Sequence, residues 1–284
     1  MIWIANIAAC TEEMLRPHVG AERIEYAAKY KQPMDRIRAL GVAVLADIAC
    51  SPEGVACGDD PAVHTPVRIL HDEKQRPYLV LPDATQEMTA ADMQGIAVGS
   101  AQMPQISLSH AGDYVAVATD RLPVGIDIEQ IRPCKESLAE RFFSDEERAY
   151  MEQLQGAAAG GAAAGSDLQG AARDLAFTAI WTLKESFLKA TGMGLSLGLE
   201  SFSMEYLAPE GLMSDPGQDK VDTPEWFRVR QSFDDNTYFG VLLPAPEGYQ
   251  LSVCFHNNSE TERLIQQYKQ GELVHEICLS ALLS

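Results

Sequence analysis

Apolar and polar positions change period several times along the chain, and each change predicts an element. The opening run MIWIANIAAC is almost continuously apolar until Glu12 and Glu13 interrupt it, which predicts a strand. A helical pattern follows over residues 17–30. A second helix carries Met34, Ile37, Leu40, Val44, Leu45 and Ile48 on one stripe. Beyond a polar, Pro- and Gly-bearing loop at 51–66, short β-like runs fall at 67–70, 78–81, 106–109, 114–118 and 124–129. The segment ISLSHAGDYVAVAT reads as a hairpin turning at Gly112.

Helical spacing resumes at 135–143 and 145–155. The stretch GAAAGGAAAGSDLQGAA at 156–172 is low in complexity; alanine favours helix and the glycines oppose it, so it is expected to be a mobile surface insert. A long helix is predicted over 174–191, ending at Gly192 where a capping glycine belongs. Strands follow at 201–206, 226–233, 237–243 and 249–255, then a short helical tail at 261–268. The order is helices then strands, twice over. It predicts an α+β fold of two similar halves, related by internal duplication, with a ligand site in the cleft between them. The expected divisions are 1–122, 123–256 and a tail at 257–284.

Composition excludes several classes. The 284 residues are 46% hydrophobic and 22% charged, close to a globular average and enough for a sizeable core. No run approaches the ~20 apolar residues of a membrane helix, and the N-terminus lacks the basic start of a secretory signal, so a cytoplasmic protein is expected. The 22 Lys and Arg face 41 Asp and Glu, a net charge of −19 that repels nucleic acid and anionic membranes. An anionic ligand needs a local basic cluster that dominates within a Debye length of about 8–10 Å. The six cysteines form no C-x-x-C pair, which leaves most of them as small buried hydrophobes of a reducing compartment.

Four constellations carry candidate chemistry. In VGIDIE, strand alternation puts Asp127 and Glu129 on one face with Cα atoms ~7 Å apart, where like charges repel and a divalent cation would relieve them; a solvated edge strand is the plain alternative. In WTLKESFLK, Trp181, Glu185 and Lys189 repeat every fourth residue beside an apolar stripe, and a Glu185–Lys189 ion pair is the plain alternative. Ser109 and His110 are adjacent on a strand and face opposite ways, so they cannot form a nucleophile–base pair; His110 reads as a structural histidine or a donor to an anion. In FFSDEE, Ser144 and Glu147 fit a capping box, which competes with a catalytic role for Glu147.

Taken together and in order, these motifs resemble the Sfp-type 4′-phosphopantetheinyl transferases. That family carries a (V/I)G(I/V)D(I/V)E strand, an F-(F/S)-x-x-E segment and a W-x-x-K-E-(S/A)-x-x-K helix. Here they stand at 124–129, 142–147 and 181–189, with Ser109–His110 and a D-R-x-R-x-L run at 35–40 upstream. The likeness extends over roughly residues 23–255.

The resemblance implies transfer of the phosphopantetheine arm of coenzyme A to a serine of an acyl or peptidyl carrier protein, releasing adenosine 3′,5′-bisphosphate. It implies Mg²⁺, or Mn²⁺ in its place, held by Asp127, Glu129 and Glu185. Lys189, Ser109, His110, Arg76 and Arg38 become phosphate contacts, the last four in the N-terminal half. Glu185 or Glu147 becomes the base for the carrier serine, with Glu185 preferred because the capping box accounts for Glu147. The family's N-terminal basic cluster is matched loosely by Arg23, Lys29 and Lys31. A monomer is implied, and an apolar carrier-docking patch is expected within 137–154. The competing readings are a catalytically silent coenzyme A- or carrier-binding module and an unrelated metal-dependent phosphohydrolase.

Overall fold

The computed structural model describes residues 1–50, 66–72, 76–80, 105–159, 166–207, 224–256 and 274–283. The fold is α+β, and the chain divides into two compact units, Met1–Val124 with Ser259–Ser284, and Gly125–Asn258.

The first unit begins with β1 (Ile2–Asn6), α1 (Glu12–Leu15), α2 (Ala21–Ala27) and α3 (Pro33–Cys50). The single helix expected at 17–30 is broken: a 3₁₀ turn at Arg16–His18 follows α1, and α2 starts beyond Gly20. Pro17 removes an N–H donor and ends α1, whose first turn is capped by Thr11 accepting from Met14 N. The apolar stripe of α3 seats Leu40, Val44, Leu45 and Ile48 against Trp3, Ala5, Ile7, Val115 and Val117. Trp3 and Ala5 of β1 and Val115 and Val117 belong to a sheet with β4 (Gln105–Ala111), β5 (Tyr114–Asp120) and β11 (Val274–Cys278), in the order β11–β1–β5–β4. β4 and β5 form the expected hairpin, with Gly112 at φ 51° in its turn. β2 (Arg68–His71) and β3 (Pro77–Val80) make a separate antiparallel pair.

β11 lies parallel to β1, pairing Ile2 with Val274 and Asn6 with Cys278. Sequence pattern missed it, because VHEIC has one apolar–polar alternation too few to stand out. The expected helix at 261–268 lies outside the described residues.

The second unit carries β6 (Val124–Gln130), α4 (Glu136–Phe142), α5 (Asp145–Ala159) and α6 (Ser166–Thr191). It continues with β7 (Ser203–Leu207), β8 (Glu225–Arg230), β9 (Tyr238–Leu243) and β10 (Tyr249–His256). The sheet order is β6–β10–β9–β8–β7. Ile180, Leu183 and Phe187 of α6 share a core with Met204, Phe227, Tyr238 and Cys254. Phe187 packs tilted against Phe202 at 4.5 Å and edge-on to Tyr238 at 5.2 Å, ring centre to ring centre.

The insert at 156–172 departs from expectation: α5 runs into it as far as Ala159 and α6 starts within it at Ser166, with 160–165 outside the described residues. Alanine prevails because both helices are already nucleated and packed, so adding a residue needs only propagation; each glycine costs about 1 kcal/mol, too little to stop it.

Candidate active site

Over its last three turns α6 is buried except on one stripe. Trp181, Glu185 and Lys189 are partly exposed, whereas residues 182–184, 186–188 and 190 are all buried. The i, i+4, i+8 spacing places these three on one face, as the sequence pattern requires. Gly192 at φ 64° stops the helix three residues later.

β6 crosses this helix at very close range. A Cβ on Gly125 would sit 1.8 Å from Ser186 O and 2.5 Å from Ala190 N, so only glycine permits the approach. Two residues further along β6, Asp127 is 4% exposed. Lys189 Nζ donates to Asp127 Oδ1 at 2.7 Å and to the Ile126 carbonyl at 3.0 Å. Lys189 thus pairs with Asp127 on the strand, and the plain alternative of a Glu185–Lys189 pair within the helix does not hold. Glu129 lies on the same strand, partly exposed, as Asp127's i+2 neighbour.

Among the described residues, neither the Glu129 nor the Glu185 carboxylate makes a hydrogen bond or an ion pair. Burial pushes the Glu185 carboxyl above the usual carboxylate range; the Asp127 charge adds to the push and Lys189 opposes it. Glu129 is raised chiefly by burial and next by Asp127, with Arg132 and Lys189 opposing and Glu185 adding to the rise. Three carboxylates on two elements thus feel one another's field, with one lysine among them.

Glu147 has a different setting. Ser144 N donates to Glu147 Oε2 at 2.7 Å, and Glu147 N donates to Ser144 Oγ at 3.2 Å, which completes the capping box. Its other oxygen accepts from Met204 N at 2.7 Å and pairs with Lys184 Nζ at 3.0 Å. Both side chains of that ion pair are fully buried. Glu147 is committed at both oxygens and has no contact with solvent.

Residues 123–254 match the family described as the 4′-phosphopantetheinyl transferase superfamily. A Bacillus pumilus protein named 4′-phosphopantetheinyl transferase psf-1 is 40% identical over 161 residues, 56% of this chain and 55% of the relative. A Bacillus subtilis 4′-phosphopantetheinyl transferase is 29% identical over 252 residues, 87% of each chain. The Bacillus subtilis (strain 168) 4′-phosphopantetheinyl transferase Sfp is 34% identical over 151 residues, 52% of this chain and 53% of the relative. Residues 123–254 thus resemble the 4′-phosphopantetheinyl transferase superfamily, and a weaker likeness to one relative extends over most of the chain. The chain's match spans about half the length of the first and third of these relatives and most of the second.

The matched region contains Asp127, Glu129, Glu147, Glu185 and Lys189. The other candidates stand in the first unit. Ser109 is buried and His110 exposed, on opposite faces of β4 as alternation requires. Arg38 Nε donates to the Gly112 carbonyl at 2.8 Å and its Nη1 to Asp35 Oδ1 at 2.8 Å, so it braces the β4–β5 turn. Arg76 Nε pairs with Asp72 Oδ2 at 2.7 Å in an exposed setting. Arg23 is buried, donates to the Ala39 carbonyl at 2.8 Å and lies over the Tyr26 ring, tying α2 to α3.

The segment 137–154, where an apolar docking patch is expected, presents mostly charged side chains among its exposed residues. Leu138, Phe142 and Leu154 pack against the core, while Glu140, Arg141, Asp145, Glu146 and Glu152 are exposed. Sequence reasoning also overlooked Lys184 as the partner of Glu147. The only signal was its place one residue before Glu185, on the buried side of the helix.

Among the described residues, no three His, Cys, Asp or Glu side chains are drawn together tightly enough to enclose a metal ion. The donor set nevertheless fits a hard divalent cation. Glu129 and Glu185 hold no partner among the described residues, are destabilised as anions by burial and by Asp127, and offer the oxygen ligands Mg²⁺ prefers. A Mg²⁺ ion normally keeps several waters and substrate phosphate oxygens, so it requires no closed protein cage.

Proposed function

We propose that the protein transfers 4′-phosphopantetheine from coenzyme A to a serine hydroxyl of an apo acyl or peptidyl carrier protein and releases adenosine 3′,5′-bisphosphate. The observation that carries this reading is the pairing of Lys189 with Asp127 beside two carboxylates that have no partner among the described residues, within the region that matches the superfamily. Asp127, Glu129 and Glu185 would hold Mg²⁺, or Mn²⁺ in its place. The ion would supply charge neutralisation at the pyrophosphate.

The chain's own groups perform the rest. Lys189 is held by Asp127 and the Ile126 carbonyl, so its ammonium is oriented before substrate arrives. Its charge stabilises the phosphate oxygens of the leaving adenosine bisphosphate as the P–O bond breaks. Glu185 takes the proton from the carrier serine as its oxygen forms the new P–O bond. The raised affinity of Glu185 for a proton suits it to that step. Glu147, closed from solvent, acts in the fold and not on substrate.

Ser109, His110, Arg38 and Arg76 are assigned to coenzyme A phosphates. The reading further includes duplicated halves, a cytoplasmic monomer, and no role for nucleic acid or membrane. No helix among the described residues is long and apolar enough to cross a membrane.

Intact-mass analysis of apo carrier proteins incubated with this protein, coenzyme A and Mg²⁺ tests the reading. One added phosphopantetheine, lost with EDTA and in Glu185→Ala, supports it. No addition across fatty-acid, polyketide and peptide carriers, despite coenzyme A binding, replaces it with a silent binding module.

A further inference from the structure

Lys184 precedes the catalytic carboxylate by one residue and points the other way, into the core. Its ammonium has three protons, and the structure supplies three acceptors: Glu147 Oε1 at 3.0 Å, the Leu199 carbonyl at 2.9 Å and the Phe202 carbonyl at 2.8 Å. It lies 4.6 Å from the centre of the Phe202 ring. Glu147 in turn accepts from Ser144 N and Met204 N. One charged knot therefore joins the start of α5, the middle of α6, the turn at 199–202 and the first residues of β7.

A buried ion pair is weak evidence for stability, since burying two charges consumes most of what their attraction returns, and apolar pairs of similar volume often do as well. What apolar contacts lack is directionality. Leu183 and Phe187 tolerate small rotations of α6, whereas three hydrogen bonds to fixed carbonyls and a carboxylate do not. We propose that the Lys184–Glu147 pair is a positioning device that fixes the rotation and axial height of α6, so that Glu185 and Lys189 meet Asp127 on β6. It acts with Gly125, which sets the distance between strand and helix, and Lys184–Glu147 sets the angle. The inference rests on the phosphopantetheinyl-transfer reading; Lys184 and Glu147 are positioning residues, and neither touches substrate.

The test compares wild type with the apolar double variant Lys184→Met/Glu147→Leu and, should that variant not fold, with the neutral polar pair Lys184→Gln/Glu147→Gln. Thermal midpoint, kcat and KM for coenzyme A, and the kcat–pH profile are measured on carrier transfer. The expected result is a folded variant with kcat reduced at least about tenfold, KM for coenzyme A within about threefold of wild type, and the acid limb of the pH profile in its wild-type place. A folded variant with wild-type kcat overturns the inference. So does a kcat loss that accompanies disappearance of the acid limb, which would make Glu147 the base. Unfolding of both variants also overturns it, because the pair would then serve stability and not position. Failure of wild type itself to modify any carrier refutes the transfer reading, a result separate from all of these.

Discussion

At the scale of single residues, Asp127 is the hub of the site. It is buried, it holds Lys189, and its charge raises the proton affinity of both Glu129 and Glu185. Asp127→Ala should lower transfer at least about 100-fold, the usual cost of removing a preorganised charged group from such a site. Wild-type turnover in this variant would refute the assignment. The pH dependence has a definite sign. Glu129 and Glu185 are protonated more readily folded than unfolded, so their favourable contribution is complete below the ordinary carboxylate pKa and is lost as pH rises through the raised folded value. Metal-free protein should therefore be more stable near pH 5 than at pH 7 as far as these two groups decide it, and Glu185→Gln should raise the thermal midpoint at pH 7 while abolishing turnover. A midpoint lowered at pH 7 by Glu185→Gln would show that the carboxylate is satisfied where it lies. The sequence made this chemistry legible because strand and helix periodicities each put the charged groups on one face. It could not show that Lys189 turns to Asp127 and leaves Glu185, since that depends on a contact between elements 62 residues apart.

At the scale of elements, the closeness of β6 to α6 decides whether those residues meet. Gly125→Ala removes no functional group, yet its Cβ would lie 1.8 Å from Ser186 O, and backbone atoms on both sides would have to part. Overpacking of this kind costs about 1–3 kcal/mol. The variant should lose that stability in denaturant unfolding and lose turnover disproportionately; a neutral outcome would mean that strand and helix are not this close. The α5–α6 region makes the opposite case. Gly156 and Gly170 lie at exposed helical positions, where an added Cβ meets nothing within 4 Å. Replacing each by alanine should stabilise the protein by about 0.5–1 kcal/mol and leave transfer unchanged. Unchanged or reduced stability would show that these positions are not helical in solution. Local composition suggests an insert here because it weighs the glycines one by one and leaves out the cooperativity of long packed helices. α3 and α6 are legible for the complementary reason: their stripes are long, and Gly192 closes α6. β11 is not legible, since a five-residue edge strand is specified by its pairing with β1 more than by its own residues.

For the whole molecule, charge governs how ligand and partner approach. A net −19 opposes both an anionic cofactor and the acidic carrier that the transfer reading requires. Within 137–154 the exposed side chains are mostly charged. Arg132, Lys135 and Arg141 are exposed in the same unit. They share that surface with Glu136, Glu140, Asp145 and Glu146, so the local balance is close to neutral and the long-range field is left to prevail. At low salt the Debye length is about 30 Å, long enough for the whole-molecule charge to act on an approaching carrier; at 0.15 M it is about 8 Å, and only near neighbours count. With coenzyme A saturating, kcat/KM for an acidic carrier should therefore rise as ionic strength increases from about 0.01 to 0.15 M, because screening removes repulsion faster than it weakens any local attraction. Measuring initial rates against carrier concentration at several salt concentrations decides the matter. A fall in kcat/KM with salt would locate an attractive basic face strong enough to overcome the global charge, and would make Arg132, Lys135 and Arg141 the first residues to reverse.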